Sequence, residues 1–255
     1  MAETAPPWVS NRFGKGRTLL LNFALTPYLK LPAAKEGDFT DWPAGAPWRA
    51  FMRRPLQEAG VACPVRVEPD MPHVEVSRFR SGDSEYVGII QGLPRPTIEY
   101  TNHGAPAPTP SPVTVAFGRA AWVYDVRRGE SLGRTDLIKT ELTPGVAALY
   151  ALLPYKVRGL DLSAPRKAMP GAEVTVGLEV KVGAPTAGRH VLRVEVADPA
   201  GTARPHYARN VLCDAGKGTF SLSFALNDPP GKWRITARDV ASGTAESATV
   251  RLDAK

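Results

Sequence analysis

Trp122-Val-Tyr-Asp-Val-Arg-Arg-Gly-Glu130, followed by Leu132-Gly-Arg-Thr-Asp-Leu-Ile138 and Ala148-Leu-Tyr-Ala-Leu-Leu-Pro-Tyr155, is the stretch whose reading decides the fold class. Trp122, Tyr124 and Val126 alternate with Val123, Asp125 and Arg127, the period of two expected of a half-buried strand. Arg128-Gly129 and Pro144-Gly145 supply turns, because Gly tolerates positive φ and Pro presets a corner. Strand, turn and strand therefore repeat through Val157–Leu162. The stretch contains no nucleophile elbow, metal cluster or phosphate loop. It reads as antiparallel β-structure.

The same period extends outward in both directions. Upstream, Val61–Glu68, His73–Arg80, Glu85–Gln91, Thr97–Tyr100 and Val113–Phe117 read as strands, with a hairpin around Ser81-Gly-Asp-Ser84. Downstream, Pro165, Pro170 and Gly171 mark a boundary. Beyond it come strands over Glu173–Val182, His190–Ala197, Tyr207–Cys213, Thr219–Leu226, Trp233–Asp239 and Ala245–Leu252. Their spacing of about 8–12 residues predicts an immunoglobulin-like sandwich.

Residues 1–60 read differently. Arg17-Thr-Leu-Leu-Leu-Asn-Phe23 is nearly continuous in apolar residues, as for a strand covered on both faces. Ala46–Gly60 predicts a helix with Pro47 in its first turn, Gly60 as its cap and Pro55 as a complication. One strand and one helix cannot bury an α/β core, so this segment reads as the end of a domain whose remainder would lie upstream of Met1. The expected architecture is mainly β: a short α/β remnant (1–60) followed by two antiparallel β-sandwich domains (61–163 and 164–255), the second immunoglobulin-like.

Composition narrows the function classes. The chain has 255 residues, 25 Pro and 23 Gly, a density that suits short strands and turns. No apolar run approaches the ~20 residues of a membrane span, and the N-terminus lacks the basic and apolar regions of a signal peptide. The compartment stays open, since a longer parent could be exported. Cys63 and Cys213 read as free thiols, and the 4 His residues show no zinc spacing. No metal or cofactor is expected. The net charge of +7 raises nucleic acid as a partner. However, the basic residues are dispersed, with pairs only at Arg53-Arg54, Arg127-Arg128 and Arg166-Lys167, which reads as solvated surface.

Three stretches carry a resemblance. Asn11-Arg-Phe-Gly-Lys-Gly-Arg-Thr-Leu-Leu-Leu-Asn-Phe23 resembles the end of the amidotransferase-like trimerisation domain of family 42 β-galactosidases, where such a turn feeds a late strand of a flavodoxin-like sheet. Residues 113–162 resemble the small antiparallel domain that ends many such glycoside hydrolases. Residues 172–252, with Arg193-Val-Glu-Val-Ala-Asp-Pro-Ala-Gly201 and Pro230-Gly-Lys-Trp-Arg-Ile235, are similar to macroglobulin-type sandwich domains. The resemblance implies a C-terminal portion of a multidomain carbohydrate-active hydrolase, acting in assembly or glycan contact. The catalytic barrel and its two carboxylates have no counterpart, so no catalytic residue carries over.

A retaining glycosidase needs two carboxyl groups about 5–5.5 Å apart; Asp136, Glu141, Glu195 and Asp239 lie on or near predicted strands. A glycosidase-type hydrolase with an acidic or histidine site at the β-domain interface is the enzymatic alternative. A macroglobulin-like protein-interaction module is the third reading. His73, His103 and His206 are scattered, whereas His190 alternates with core residues and reads as a satisfied strand histidine. Gly14-Lys-Gly-Arg-Thr18 lacks the phosphate-loop spacing and reads as a turn. Trp42, in a Pro/Gly loop, and Trp48, at the helix start, are the candidates for stacking on a sugar ring, while Trp122 and Trp233 read as core. An apolar face over residues 17–56 predicts self-association or a partner domain.

Overall fold

The computed structural model describes residues 8–22, 46–71, 73–92 and 109–254, the side chain of Trp48 excepted. The chain divides into two compact units. One comprises Met1–Glu75, Ile90–Gly118 and Lys139–Ala147; the other comprises Val76–Ile89, Arg119–Ile138 and Ala148–Lys255.

In the first unit, β1 (Trp8–Phe13) and β2 (Gly16–Leu21) form an antiparallel hairpin that sets Trp8 opposite Leu21. Gly14 turns it with φ +58, a conformation that costs glycine little. The expected strand covered on both faces is not what forms here. Among the described residues β2 pairs only with β1, and Leu19 and Leu20 stay exposed. The apolar run anticipated cover that these residues do not supply.

Helix α1 (Ala46–Glu58) keeps Pro55 inside it. Its C-terminus closes as the sequence predicts: Gly60 takes φ +71 and the Val61 amide donates to the Leu56 carbonyl at 2.9 Å. The Phe51 ring lies 4.5 Å from that of Trp8, and Arg49 pairs with Asp70 at 3.1 Å. Strand β3 (Arg66–Glu68) is shorter than the predicted Val61–Glu68 and pairs with the first half of β6 (Ser111–Asp125). The predicted strand Thr97–Tyr100 lies outside the described residues.

The second unit contains the hairpin of β4 (Val74–Ser81) and β5 (Ser84–Gln91) from residue 76 to residue 89. Strand β8 (Ala148–Leu153) pairs with β5 on one side and with the end of β6 on the other, and β6 also pairs with β7 (Glu130–Leu142). Tyr150–Leu153 are buried throughout, as a central strand requires.

The rest of this unit is a β-sandwich. Strands β9 (Val157–Ser163), β11 (Glu173–Val182) and β14 (Lys217–Ser223) make one sheet in the order β14-β11-β9. The other sheet holds β10 (Lys167–Ala168), β12 (His190–Ala197), β13 (Arg209–Cys213), β15 (Gly231–Asp239) and β16 (Ala245–Leu252), in the order β10-β16-β15-β12-β13. β10 and β16 run parallel; the other pairings are antiparallel. Val157–Leu162, which sequence reading groups with the preceding strands, pairs instead with β11.

Alternation builds the core. Val174, Val176, Leu178 and Val180 of β11 share one cluster with Leu192, Val194 and Val196 of β12 and with Trp233 and Ile235 of β15. Each such side chain stabilises the fold by roughly 1.5–3 kcal/mol when fully buried. Trp233 satisfies its indole N–H on the Pro229 carbonyl at 3.0 Å. The turns at Asp198–Gly201 and Asn227–Gly231 are pinned by aspartates. Asp198 accepts from the Ala200 and Thr202 amides, and Asp228 accepts from the Tyr207 hydroxyl and the Ala225 amide.

Candidate functional site

The β4–β5 hairpin builds a polar recess within the second unit. Gly82 turns it with φ +59. Arg78 and Arg80 stand two residues apart on β4 and so project from one face. Beside them on β5 is Glu85, whose side chain is only 4% exposed. Arg78 donates a short hydrogen bond to one Glu85 carboxylate oxygen, and Arg119 of β6 approaches the other at 3.5 Å. Burial alone would raise the Glu85 carboxyl. The Arg78 hydrogen bond and the charges of Arg78, Arg119 and Arg80 outweigh it and hold the group below its ordinary range. The recess, about 250 Å³, is lined by Arg80, Gly82, Asp83, Ser84, Glu85 and Arg119.

A buried hydrogen-bonded chain lies near its Ser84 edge. His190 of β12 and Asp239 of β15 occupy inward positions in phase with Leu192, Trp233 and Ile235. Leu192 is paired with Asp239, which makes His190 the diagonal neighbour of that carboxylate. His190 Nδ1 and Asp239 Oδ1 are 2.9 Å apart, and His190 Nε2 lies 3.0 Å from the Tyr155 hydroxyl. The Gly188 amide donates to Tyr155 at 2.6 Å, while Ser242 donates to Asp239 Oδ2 through its amide (3.0 Å) and hydroxyl (2.5 Å). Every donor is satisfied when Tyr155 donates to Nε2 and Nδ1–H donates to the carboxylate. A Cβ at Gly188 would sit 2.9 Å from the Tyr155 oxygen and 3.6 Å from the Ser84 hydroxyl, so both hydroxyls border this glycine.

The buried carboxylate also acts on its surroundings. Burial, followed by the Asp239 charge, raises the Tyr86 phenol. Burial, then Asp239 and Asp214, pushes the Cys213 thiol up to about 11.

The structure disperses most of the other candidates. Asp136, Glu141 and Glu195 are exposed while Asp239 is sealed, so the four do not share an environment. His190 is the satisfied strand histidine expected. His206 is exposed with its ring against Tyr207, and the exposed His73 accepts from the Gly92 amide through its carbonyl. Trp42 and His103 lie outside the described residues, as does the side chain of Trp48. Gly14-Lys15 is the hairpin turn that its spacing suggests. Cys63 and Cys213 are free thiols, the first exposed and the second buried. Among the described residues no group of three His, Cys, Asp or Glu is placed to hold a metal ion, and no helix is long and apolar enough to cross a membrane.

Sequence reading missed both arrangements. Alternation of Arg78, Arg80 and Glu85 around a predicted hairpin was available as a signal for half of the recess. Nothing local points to Arg119.

Chemically, the recess offers guanidinium donors and, among the described residues, no exposed nucleophile–base pair. The sealed His–Asp pair, with both side chains 0% exposed, cannot reach a substrate.

No family model matches the chain, and no curated protein matches it. Solved structures show partial likeness. A β-glucosidase from Listeria innocua is 18% identical over 38% of this chain and 16% of its own, with a TM-score of 0.28. The α-2-macroglobulin of E. coli is 10% identical over 74% of this chain and 22% of its own, at 0.32. A superoxide reductase from Ignicoccus hospitalis is 13% identical over 38% of this chain and 82% of its own, at 0.29. The chain thus spans about a sixth of the glucosidase's length, and likeness of this degree identifies neither family nor activity.

Proposed function

We propose that this chain is a non-catalytic C-terminal module of a carbohydrate-active hydrolase, working in assembly or glycan contact. The observation that carries the reading is that, among the described residues, groups able to act as acid, base or nucleophile do not converge on open space. His190 and Asp239 are sealed in the sandwich, and Glu85 is engaged by two arginines. The resemblance of residues 11–23, 113–162 and 172–252 to parts of glycoside hydrolases and macroglobulins supplies the association with carbohydrate. In this reading 1–60, 61–163 and 164–255 are the inherited domains, the last of them immunoglobulin-like and completed by β9 (Val157–Ser163) from the end of the middle one. Trp42 and Trp48 are the ring-stacking residues.

Association belongs to the same proposal. Leu20 and Leu56 are 67% and 54% exposed, which supports contact with a second copy or a partner domain through residues 17–56. Leu20→Lys is expected to shift the chain toward monomer in light scattering. A monomer at high concentration without any substitution counts against association.

The test of function pairs two assays on the full chain. Affinity electrophoresis against soluble polysaccharides is expected to show retardation, weakened in Trp42→Ala and Trp48→Ala. Nitrophenyl glycosides are expected to show no turnover. Turnover abolished by Glu85→Gln or Glu195→Gln would establish a hydrolase instead.

A further inference from the structure

We infer that the Arg80–Arg119 recess is a glycan contact in its own right and takes the carboxylate or sulfate group of an acidic saccharide. The inference rests on the glycan-contact reading and specifies its ligand. Among the described residues three arginines face two carboxylates, Glu85 and Asp83, a balance of one net positive charge at the recess. Their engagement is unequal. Arg78 is committed to the buried Glu85. Arg119 reaches that carboxylate only at 3.5 Å, with nearly half its side chain exposed. Arg80 makes no hydrogen bond or ion pair with a described residue, although it lines the recess and its charge is felt at Glu85.

Glu85 thus acts as an anchor. It fixes Arg78, restrains Arg119 and leaves the outer donors of Arg119 and Arg80 turned to solvent. Guanidinium donors in this arrangement suit a planar or tetrahedral oxyanion and form charge-assisted bonds with it. A volume of about 250 Å³ corresponds to about eight waters at ~30 Å³ each, room for the anionic group and part of its sugar ring. The net charge of +7 raises the local concentration of a polyanion before docking. A compact recess, with basic pairs dispersed elsewhere in the sequence, favours a saccharide over the continuous stripe that a nucleic-acid backbone needs.

The experiment is affinity electrophoresis of the full chain against polygalacturonate, dextran sulfate, neutral dextran and a single-stranded oligonucleotide. Arg80→Ala and Arg119→Ala are compared with Arg251→Ala, a control in an exposed pair with Asp253. Thermal melts confirm that each variant is folded. Retention by polygalacturonate or dextran sulfate is expected, and which of the two binds distinguishes carboxylate from sulfate. Arg80→Ala is expected to weaken it about tenfold or more, the value of one charge-assisted bond, and Arg251→Ala to leave it nearly unchanged. Retention that is equal in parent and Arg80→Ala overturns the inference, as does loss that Arg251→Ala matches. Retention by neutral dextran alone overturns it while leaving glycan contact standing. Retention of the oligonucleotide that is equally tight and depends on Arg80 overturns the saccharide assignment. Retention by none of the four sinks this inference together with the glycan-contact reading.

Discussion

Asp239→Ala tests whether the sealed chain of polar groups holds the sandwich together. The carboxylate accepts from His190 Nδ1 at 2.9 Å, from the Ser242 amide at 3.0 Å and from the Ser242 hydroxyl at 2.5 Å, with no exposure to water. Truncation orphans these donors. The Ser242 hydroxyl keeps Thr244 Oγ1 at 3.0 Å, so two donors lose their partner outright. At roughly 1–3 kcal/mol for each buried unsatisfied group, the loss is about 4 kcal/mol. For a compact unit of roughly 140 residues at about 3 °C per kcal/mol, the melting temperature should fall by ~12 °C. Urea unfolding should show a lower midpoint at unchanged slope. A second readout is independent of stability: the Tyr86 phenol, raised by burial and then by the Asp239 charge, should titrate lower in the variant by tyrosinate absorbance. A variant that melts within about 2 °C of the parent, with Tyr86 unmoved, would refute the reasoning.

Four further outcomes follow from other features of the chain. Gly243 has φ +75 and a Cβ there would be driven into the backbone of Gly129, so Gly243→Ala should cost more than about 2 kcal/mol, read as a urea midpoint. Cys63 is exposed and Cys213 is buried with its thiol near 11, so iodoacetamide at mild pH should alkylate one thiol of the native chain and two after denaturation. Because the folded thiol is raised from 9.0, its contribution to stability is complete below that value and is lost as pH rises through about 11; Cys213→Ala should flatten this alkaline slope. Glu85 has the opposite sign. Its folded carboxyl is depressed, so its contribution is present above the ordinary carboxylate range and is lost as pH falls through the lower folded value. Glu85→Gln should therefore narrow the stability gap between neutral and acidic buffer.

The strands were legible because one face of each had to be buried. Glu173–Val182, His190–Ala197 and Ala245–Leu252 end where their alternation ends, since register errors would turn Val176 or Leu192 toward water. The same rule misled at Arg17–Phe23, where an apolar run implies cover without saying which chain provides it. Pairing was the other gap. Alternation shows that His190 and Asp239 both point inward but not that β12 lies beside β15, so a histidine and an acid read separately became one buried pair only once the sheet order was known.

That gap also separates the two polar sites. Both place an acid among basic or hydrogen-donating groups, yet their chemistry diverges because of access. At Asp239 every partner is inside, so substitution is felt as lost stability. At Glu85 the acid is inside while Arg80 and Arg119 stand outside it, so the burial that fixes the carboxylate leaves cationic donors oriented toward solvent. Loss of Glu85 should therefore weaken both the fold and any anion held at the recess, whereas loss of Arg80 should weaken the anion alone. A Glu85→Gln variant that binds polygalacturonate as well as the parent would show that the arginines need no anchor, and would break the link drawn between burial and binding.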